Sequence, residues 1–293
     1  MKKTIKLWHL LFIILLTSGM AACQKEKQEQ NVTDETELSN SEKLIVVPVA
    51  TGDLSTSVNA SEHSMNCNTF YGPEVQMGNG HLRSWINISR DNGKPTAIGI
   101  EFTDKSFYNL PTDHLNFAAN TFALKLHQKA KAVTPFDHIT INWEPEGHEP
   151  PGIYDVPHFD MHFYKISTEE QLAIGPIPGP VPPAGYLPAS YVIQGATVPQ
   201  MGTHWLNPAS PELPPTKKPF THTFIYGTAN GKVIFLEPMI TRLFLMAGDA
   251  VTKSIPQPMY FSPNGTNYPT NYKIWKNADN KRHYVALTDF VLR

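Results

Sequence analysis

The sequence predicts a mainly β, α+β fold: an antiparallel sheet or β-barrel-like single domain with one main helix. Three observations predict it. From about residue 67 onward, aromatic and β-branched residues alternate with polar ones, the period-two pattern of half-buried strands. Short Asn/Gly turns join these runs, and such turns link antiparallel neighbours. Finally, 16 of the 26 prolines crowd into residues 145–219, so much of that stretch must be irregular, because proline cannot donate to a ladder.

The elements follow in order. Gly78-Asn79-Gly80 marks a turn, and Leu82, Ser84, Ile86 and Ile88 then alternate with Arg83, Trp85 and Asn87. The turn at 90–94 leads to a second strand at 96–102, which is a hairpin signature. Residues 113–132 read as the main helix: Leu115, Ala119, Phe122, Ala123, Leu126 and Ala130 fall at helical spacing, with Asp113 as a cap. Strands are expected at 136–143, 157–166 and 190–198. Ser167-Thr168-Glu169-Glu170 has capping-box form and starts a short helix. The loop 175–183 (GPIPGPVPP) reads as stiff and ordered, given Trp205 and the histidine motifs alongside. Asn230-Gly231 between two apolar runs predicts a hairpin over 220–238. Closing strands follow at 268–275 and 283–292, for about nine strands and two helices, without an internal repeat.

The N-terminus reads as an address. Lys2, Lys3 and Lys6 precede an apolar run at 7–16. That run is too short for a bilayer, which needs about 20 apolar residues, so 1–22 reads as a signal peptide. Ser18-Gly19-Met20-Ala21-Ala22-Cys23 resembles a bacterial lipobox, which implies cleavage before Cys23 and its lipidation; an ordinary signal peptide cut after Ala22 is the alternative. Residues 23–66 then read as a lipidated, disordered tether, polar at first and an extended arm from 44. Gln24-Lys25-Glu26-Lys27 resembles an outer-face sorting signal, or is a soluble linker. The expected location is the bacterial cell envelope, periplasmic or surface-exposed, with the membrane as partner through the lipid.

Composition excludes several classes. Charged residues are 17% and the net charge is −2, which excludes a disordered chain and a generic nucleic-acid binder. Removal of 1–22 takes three lysines, so the balance becomes 21 − 26 = −5. Two cysteines exclude a disulfide scaffold and a Cys-rich zinc module. With Cys23 lipidated, Cys67 is a lone thiol, buried or paired between chains. There is no Gly-x-Ser-x-Gly elbow, phosphate-binding glycine loop or dinucleotide fingerprint. Met77, Met161, Met201 and Met239 read as core filler rather than copper ligands.

Histidine is the conspicuous chemistry. In Pro157-His158-Phe159-Asp160-Met161-His162-Phe163-Tyr164, the aromatic run favours a strand, and strand residues two apart share a face. His158, Asp160 and His162 then point one way, and Phe159, Met161 and Phe163 point into a core. Imidazole and carboxylate in a row suit a divalent metal, zinc first, with iron or manganese as alternatives. His204, in Met201-Gly202-Thr203-His204-Trp205, offers a third imidazole, and Glu237 follows an apolar run where a buried carboxylate must be compensated. The expected metal set is His158, His162, His204 and Glu237, with Asp160 and His148 supporting it from behind. A buried His–Asp network without metal and a metal-free His–Asp catalytic pair compete with this reading.

These motifs occur in a fixed order: Gly78-Asn79-Gly80 with Ser84-Trp85, Ile98-Gly99-Ile100, Trp143-x-Pro145-x-Gly147-His148, Pro157–Tyr164, Met201-Gly202-x-His204-Trp205 and Glu237-Pro238-Met239-Ile240. The set resembles a family of secreted bacterial proteins built on a domain of unknown function, typified by a sigma-E-regulated protein. The resemblance spans about residues 70–250. It implies an envelope protein with one β-rich domain, and its His and Glu positions carry over as site candidates, but it implies no activity. His283 lies outside it. The functional expectation is an envelope lipoprotein with a His/carboxylate metal site, suited to hydrolytic or lyase chemistry on an unspecified small molecule. The alternative is a non-enzymatic binding or structural lipoprotein, a homo-oligomer among the options.

Overall fold

The computed structural model describes residues 66–293. The segments read as signal peptide and tether, with Cys23, lie outside the described residues up to residue 65. Among the described residues no helix is long and apolar enough to cross a membrane.

The strands form two seven-stranded antiparallel sheets. The first contains β1 (Cys67–Tyr71), β2 (Val75–Met77), β3 (Gly80–Ser89), β4 (Pro95–Thr103), β12 (Val251–Ser254), β13 (Asn267–Asn277) and β14 (Arg282–Leu292). Its order is β1-β3-β4-β14-β13-β12, with β2 also paired to β3. The second contains β5 (Thr121–Lys125), β6 (His138–Glu144), β7 (His158–Tyr164), β8 (Val192–Val198), β9 (Gly202–Leu206), β10 (His222–Ala229) and β11 (Lys232–Thr241). Its order is β5-β6-β7-β11-β10-β9-β8. Neither sheet closes on itself, so the antiparallel-sheet expectation holds and the barrel-like one does not.

One core joins the sheets. Ile86, Ile98, Ile100, Phe102, Val285 and Leu287 of the first sheet share it with Ile139, Ile141, Phe159, Met161, Phe163 and Ile240 of the second. Phe102 and Phe159 meet across it, ring centroids 6.4 Å apart. The alternation expected of β7 is therefore present, with Phe159, Met161 and Phe163 turned inward. Both hairpins occur as expected. The β10–β11 turn places Asn230 at φ 50° and Gly231 at φ 75°, the left-handed pair that a tight hairpin requires. The capping box at Ser167 starts α3 (Thr168–Leu172). The proline loop is anchored as well: Gly231 N donates to Pro180 O at 2.8 Å.

The helix read over 113–132 is not there. Two single turns, α1 (Phe117–Asn120) and α2 (Gln128–Val133), flank the edge strand β5. The pairing of Thr121–Lys125 with Asn142–His138 of β6 supplies a ladder that a helix would leave empty. Period two decides the segment: Leu124 and Leu126 are buried, while Leu115 is 71% exposed. Asp113 caps only a local turn, its Oδ1 accepting from Leu115 N at 3.0 Å, and Asn116 and His127 cap the two short helices. The strand count also exceeds expectation because β1, β2, β9 and β12 are short or lie beside turns. A further helix, α4 (Arg242–Ala247), follows β11 directly.

The first sheet carries one buried charge. Glu101 is 2% exposed, and its Oε1 accepts from Arg83 Nε at 2.6 Å and from Arg282 Nη1 at 2.9 Å. A buried charge deprived of its partners costs about 3–5 kcal/mol. Replacing both Arg83 and Arg282 with alanine is thus expected to lower unfolding free energy by about 3 kcal/mol, measured in urea. Adding Glu101→Gln should recover most of the loss; no recovery would show that lost packing, not the stranded charge, is responsible. His283 is structural: its Nε2 lies 2.6 Å from Asp104 Oδ1, in the first sheet. Cys67 is half-buried in β1, with Sγ 3.6 Å from Thr96 Oγ1.

Candidate metal centre

The outer face of the second sheet carries the histidines. β7 presents His158, Asp160, His162 and Tyr164 on that face by alternation. β11 runs antiparallel beside it, with Leu236 opposite Phe163 and Met239 opposite Asp160, so Glu237 falls level with His162. Although this face turns away from the core, every residue of β7 is buried. Tyr154, Leu213, Phe220, Ile225 and Met239 form an apolar cluster at one end. Tyr164, Ile234 and Phe235 form another at the other end. The polar row lies between these two clusters.

Two groups of three ligating side chains result: His148 with His158 and Asp160, and His162 with His204 and Glu237. Within each group the ligand atoms lie within 4.8 Å of one another. The expected set His158, His162, His204 and Glu237 is thus divided between the groups. His148 and Asp160, expected behind the ligands, stand level with His158.

The first group combines ligand-like imidazole orientation with ion-pair distances to Asp160. His158 Nδ1 is 2.7 Å from Val156 O, and His148 Nδ1 is 2.7 Å from Glu149 O. A carbonyl only accepts, so each Nδ1 carries the hydrogen and each Nε2 is free to present a lone pair. His158 Nε2 stands 3.1 Å from Asp160 Oδ1, and His148 Nε2 stands 3.5 Å from Asp160 Oδ2. Neither His158 Nε2 nor Asp160 Oδ1 has a hydrogen-bond partner, although both are buried. Lone pairs facing a carboxylate at this range need a cation or a proton between them. In the metal-free protein a proton takes that place. Burial acts to lower the His148 pKa, but the hydrogen bond and charge of Asp160 override it and raise the group to about 10. Burial acts to raise Asp160, and the charges of His158 and His148 hold it well below the usual carboxylate range instead.

The second group is more deeply desolvated. His162 Nε2 and His204 Nε2 lie 3.7 and 3.6 Å from Glu237 Oε2. Neither nitrogen of His162, nor Glu237 Oε2, has a hydrogen-bond partner. Burial lowers His162 to about 4, and burial with the neighbouring His162 lowers His204 to about 3. Both imidazoles are therefore neutral at pH 7, the form that binds metal. Burial and the nearby Asp160 charge raise Glu237 well above the ordinary carboxylate value. Buried polar atoms are nearly always paired, so a cluster of orphans marks a site for something that supplies the missing partner.

His204 reaches this group from β9 because the intervening strand is bare. Gly227 of β10 is opposite both His204 and Phe235. Phe235 lies over that glycine and packs edge-on against His162, centroids 4.7 Å apart, and against His204 at 5.2 Å. The aromatic ring fixes both imidazoles from one side.

A cavity of about 510 Å³ opens onto both groups, lined among others by Glu144, His148, Asp160, His204, Glu237 and Met239. Glu144 was not among the sequence candidates. It stands opposite His158 in the β6–β7 ladder, and burial plus the Asp160 charge push it up to about 7. Its only signal was its place inside Trp143-x-Pro145, at a strand end where carboxylates are commonplace. Met77 and Met161 are fully buried, as expected of core filler, whereas Met201 and the buried Met239 line the cavity.

No curated protein and no solved structure matches this chain. Residues 91–143 match a family described as TTHB210-like, hypothetical protein TTHB210. That segment runs from the β3–β4 turn to Trp143 and ends before every ligand candidate, so the likeness is to a family of hypothetical proteins over part of the scaffold and extends to none of the chemistry.

Proposed function

We propose that this protein binds a divalent metal ion through His162, His204 and Glu237, zinc first, with iron or manganese as alternatives, and that the site serves hydrolytic or lyase chemistry. The observation that carries the reading is the set of orphaned, fully buried ligand atoms on His162 and Glu237. Two neutral imidazoles and one carboxylate are a common catalytic donor set that leaves coordination positions open. An ion held there supplies an acidified water at neutral pH. The cavity admits a small molecule, and Ile225 and Met239 give part of its wall an apolar character. The N-terminal pattern supports the companion proposal that the protein is an envelope lipoprotein, with its lipid on Cys23 and the membrane as partner. Cys23→Ser is then expected to release the protein from the membrane fraction; unchanged fractionation would remove the anchor.

Elemental analysis of the purified protein tests the metal. At least one zinc, iron or manganese per chain is expected, falling by about one ion per chain in His162→Ala. Metal well below one per chain, unchanged by that substitution, would remove the reading.

A further inference from the structure

We propose that the centre holds two metal ions, the second on His148, His158 and Asp160, with both ions facing the one cavity. This rests on the metal reading of the His162 group and extends it. Three observations carry it. First, the His148 group has its own ligand geometry: two Nε2 atoms directed at one carboxylate, with both Nδ1 atoms committed to backbone carbonyls. Second, His158 Nε2 and Asp160 Oδ1 are buried 3.1 Å apart with no other hydrogen-bond partner, so a proton or a cation must stand between them. Third, the cavity wall around the buried Asp160 holds further carboxylates, Glu144 and Glu237, and no lysine or arginine. A buried carboxylate needs compensating charge, which here comes from the histidines or from a bound cation.

One strand joins the groups. Asp160 and His162 are two residues apart on one face of β7, a separation of ~6.7 Å along a strand. The ligand atoms nevertheless fall into two groups of three, each within 4.8 Å, and an ion with ligand bonds of about 2.0–2.3 Å fits within one such group. Two ions facing one cavity suit a substrate that offers an oxygen to each, and a phosphate ester is the simplest such class.

The test is a titration of metal-stripped, full-length protein in detergent with zinc and with manganese. Two ions per chain are expected. His148→Ala should bind one, and so should His204→Ala, because each removes one ion and spares the other. His148 sits on a partly exposed loop, so its alanine variant is not expected to compromise folding; His204→Gln replaces His204→Ala should the latter fail to fold. Manganese EPR supplies the second readout: dipolar broadening in the wild type that disappears in either variant. One ion per chain, lost in His204→Ala and kept in His148→Ala, overturns the second ion and leaves the proposed function standing. One ion lost in both variants means a single shared ion and also overturns it. No bound metal at all overturns both readings. With two ions established, p-nitrophenyl phosphate tests the substrate class: hydrolysis lost in both single-ion variants is expected, and no hydrolysis by the two-ion protein rejects phosphate esters.

Discussion

Stripping metal from the protein is expected to lower its Tm by about 10 °C. A ligand that binds only the native state, present at a thousandfold excess over Kd, contributes about 4 kcal/mol. For a domain of this size each kcal/mol shifts Tm by about 2–4 °C. The increment should shrink in His162→Ala and vanish in the double variant His148→Ala/His162→Ala, whose Tm with and without chelator should coincide. It should also grow as pH rises. Glu237 is raised in the metal-free protein and His148 is raised to about 10, so ligation displaces protons from both, and apparent affinity climbs as protons become scarcer. Calorimetric scans with and without EDTA at two pH values check both statements. A wild-type Tm indifferent to chelator at either pH would favour the metal-free reading, a buried His–Asp network that binds a partner or only builds the fold.

Gly227→Ala is expected to damage stability and the centre together. A Cβ at this position would stand 1.9 Å from the Phe235 ring. The ring must move, and it is held by Tyr164 at 5.3 Å as well as by the two histidines. Overpacking of this kind costs about 1–3 kcal/mol. The metal site should lose affinity severalfold, since His162 and His204 lose the surface that orients them. Phe235→Leu on its own leaves a void of modest size. In the double variant Gly227→Ala/Phe235→Leu the added methyl occupies space the ring vacated, so the two losses should be smaller together than their sum. Strict additivity in a urea-denaturation cycle would show that the glycine matters for some reason other than this contact.

Much of this architecture could be read locally. Alternation in β7 places three aromatic or sulfur side chains inward and three ligand-type side chains outward, and that follows from period two alone. Asn230-Gly231 and Ser167-x-x-Glu170 are local chemistry, and both form the elements they predict. The segment 113–132 misleads because its apolar residues satisfy two periods; only the open edge of β6, contributed by residues later in the chain, decides between them. The division of the ligands is likewise non-local. His158 and His162 look equivalent in sequence. What separates them is which neighbour reaches them: the loop bearing His148 meets one, and β9 and β11 bring His204 and Glu237 to the other. That depends on a strand register set by residues more than 40 positions away, and on a glycine in β10 whose importance is visible only once Phe235 lies over it.

The measurement that bears most directly on the metal centre is anomalous diffraction from crystals of the zinc-loaded protein. Data collected on both sides of the zinc edge are expected to show a strong difference peak within about 2.3 Å of His162 Nε2, His204 Nε2 and a Glu237 oxygen. A zinc-loaded crystal with no such peak between those three side chains, and with each of them hydrogen-bonded to water or protein instead, would contradict it.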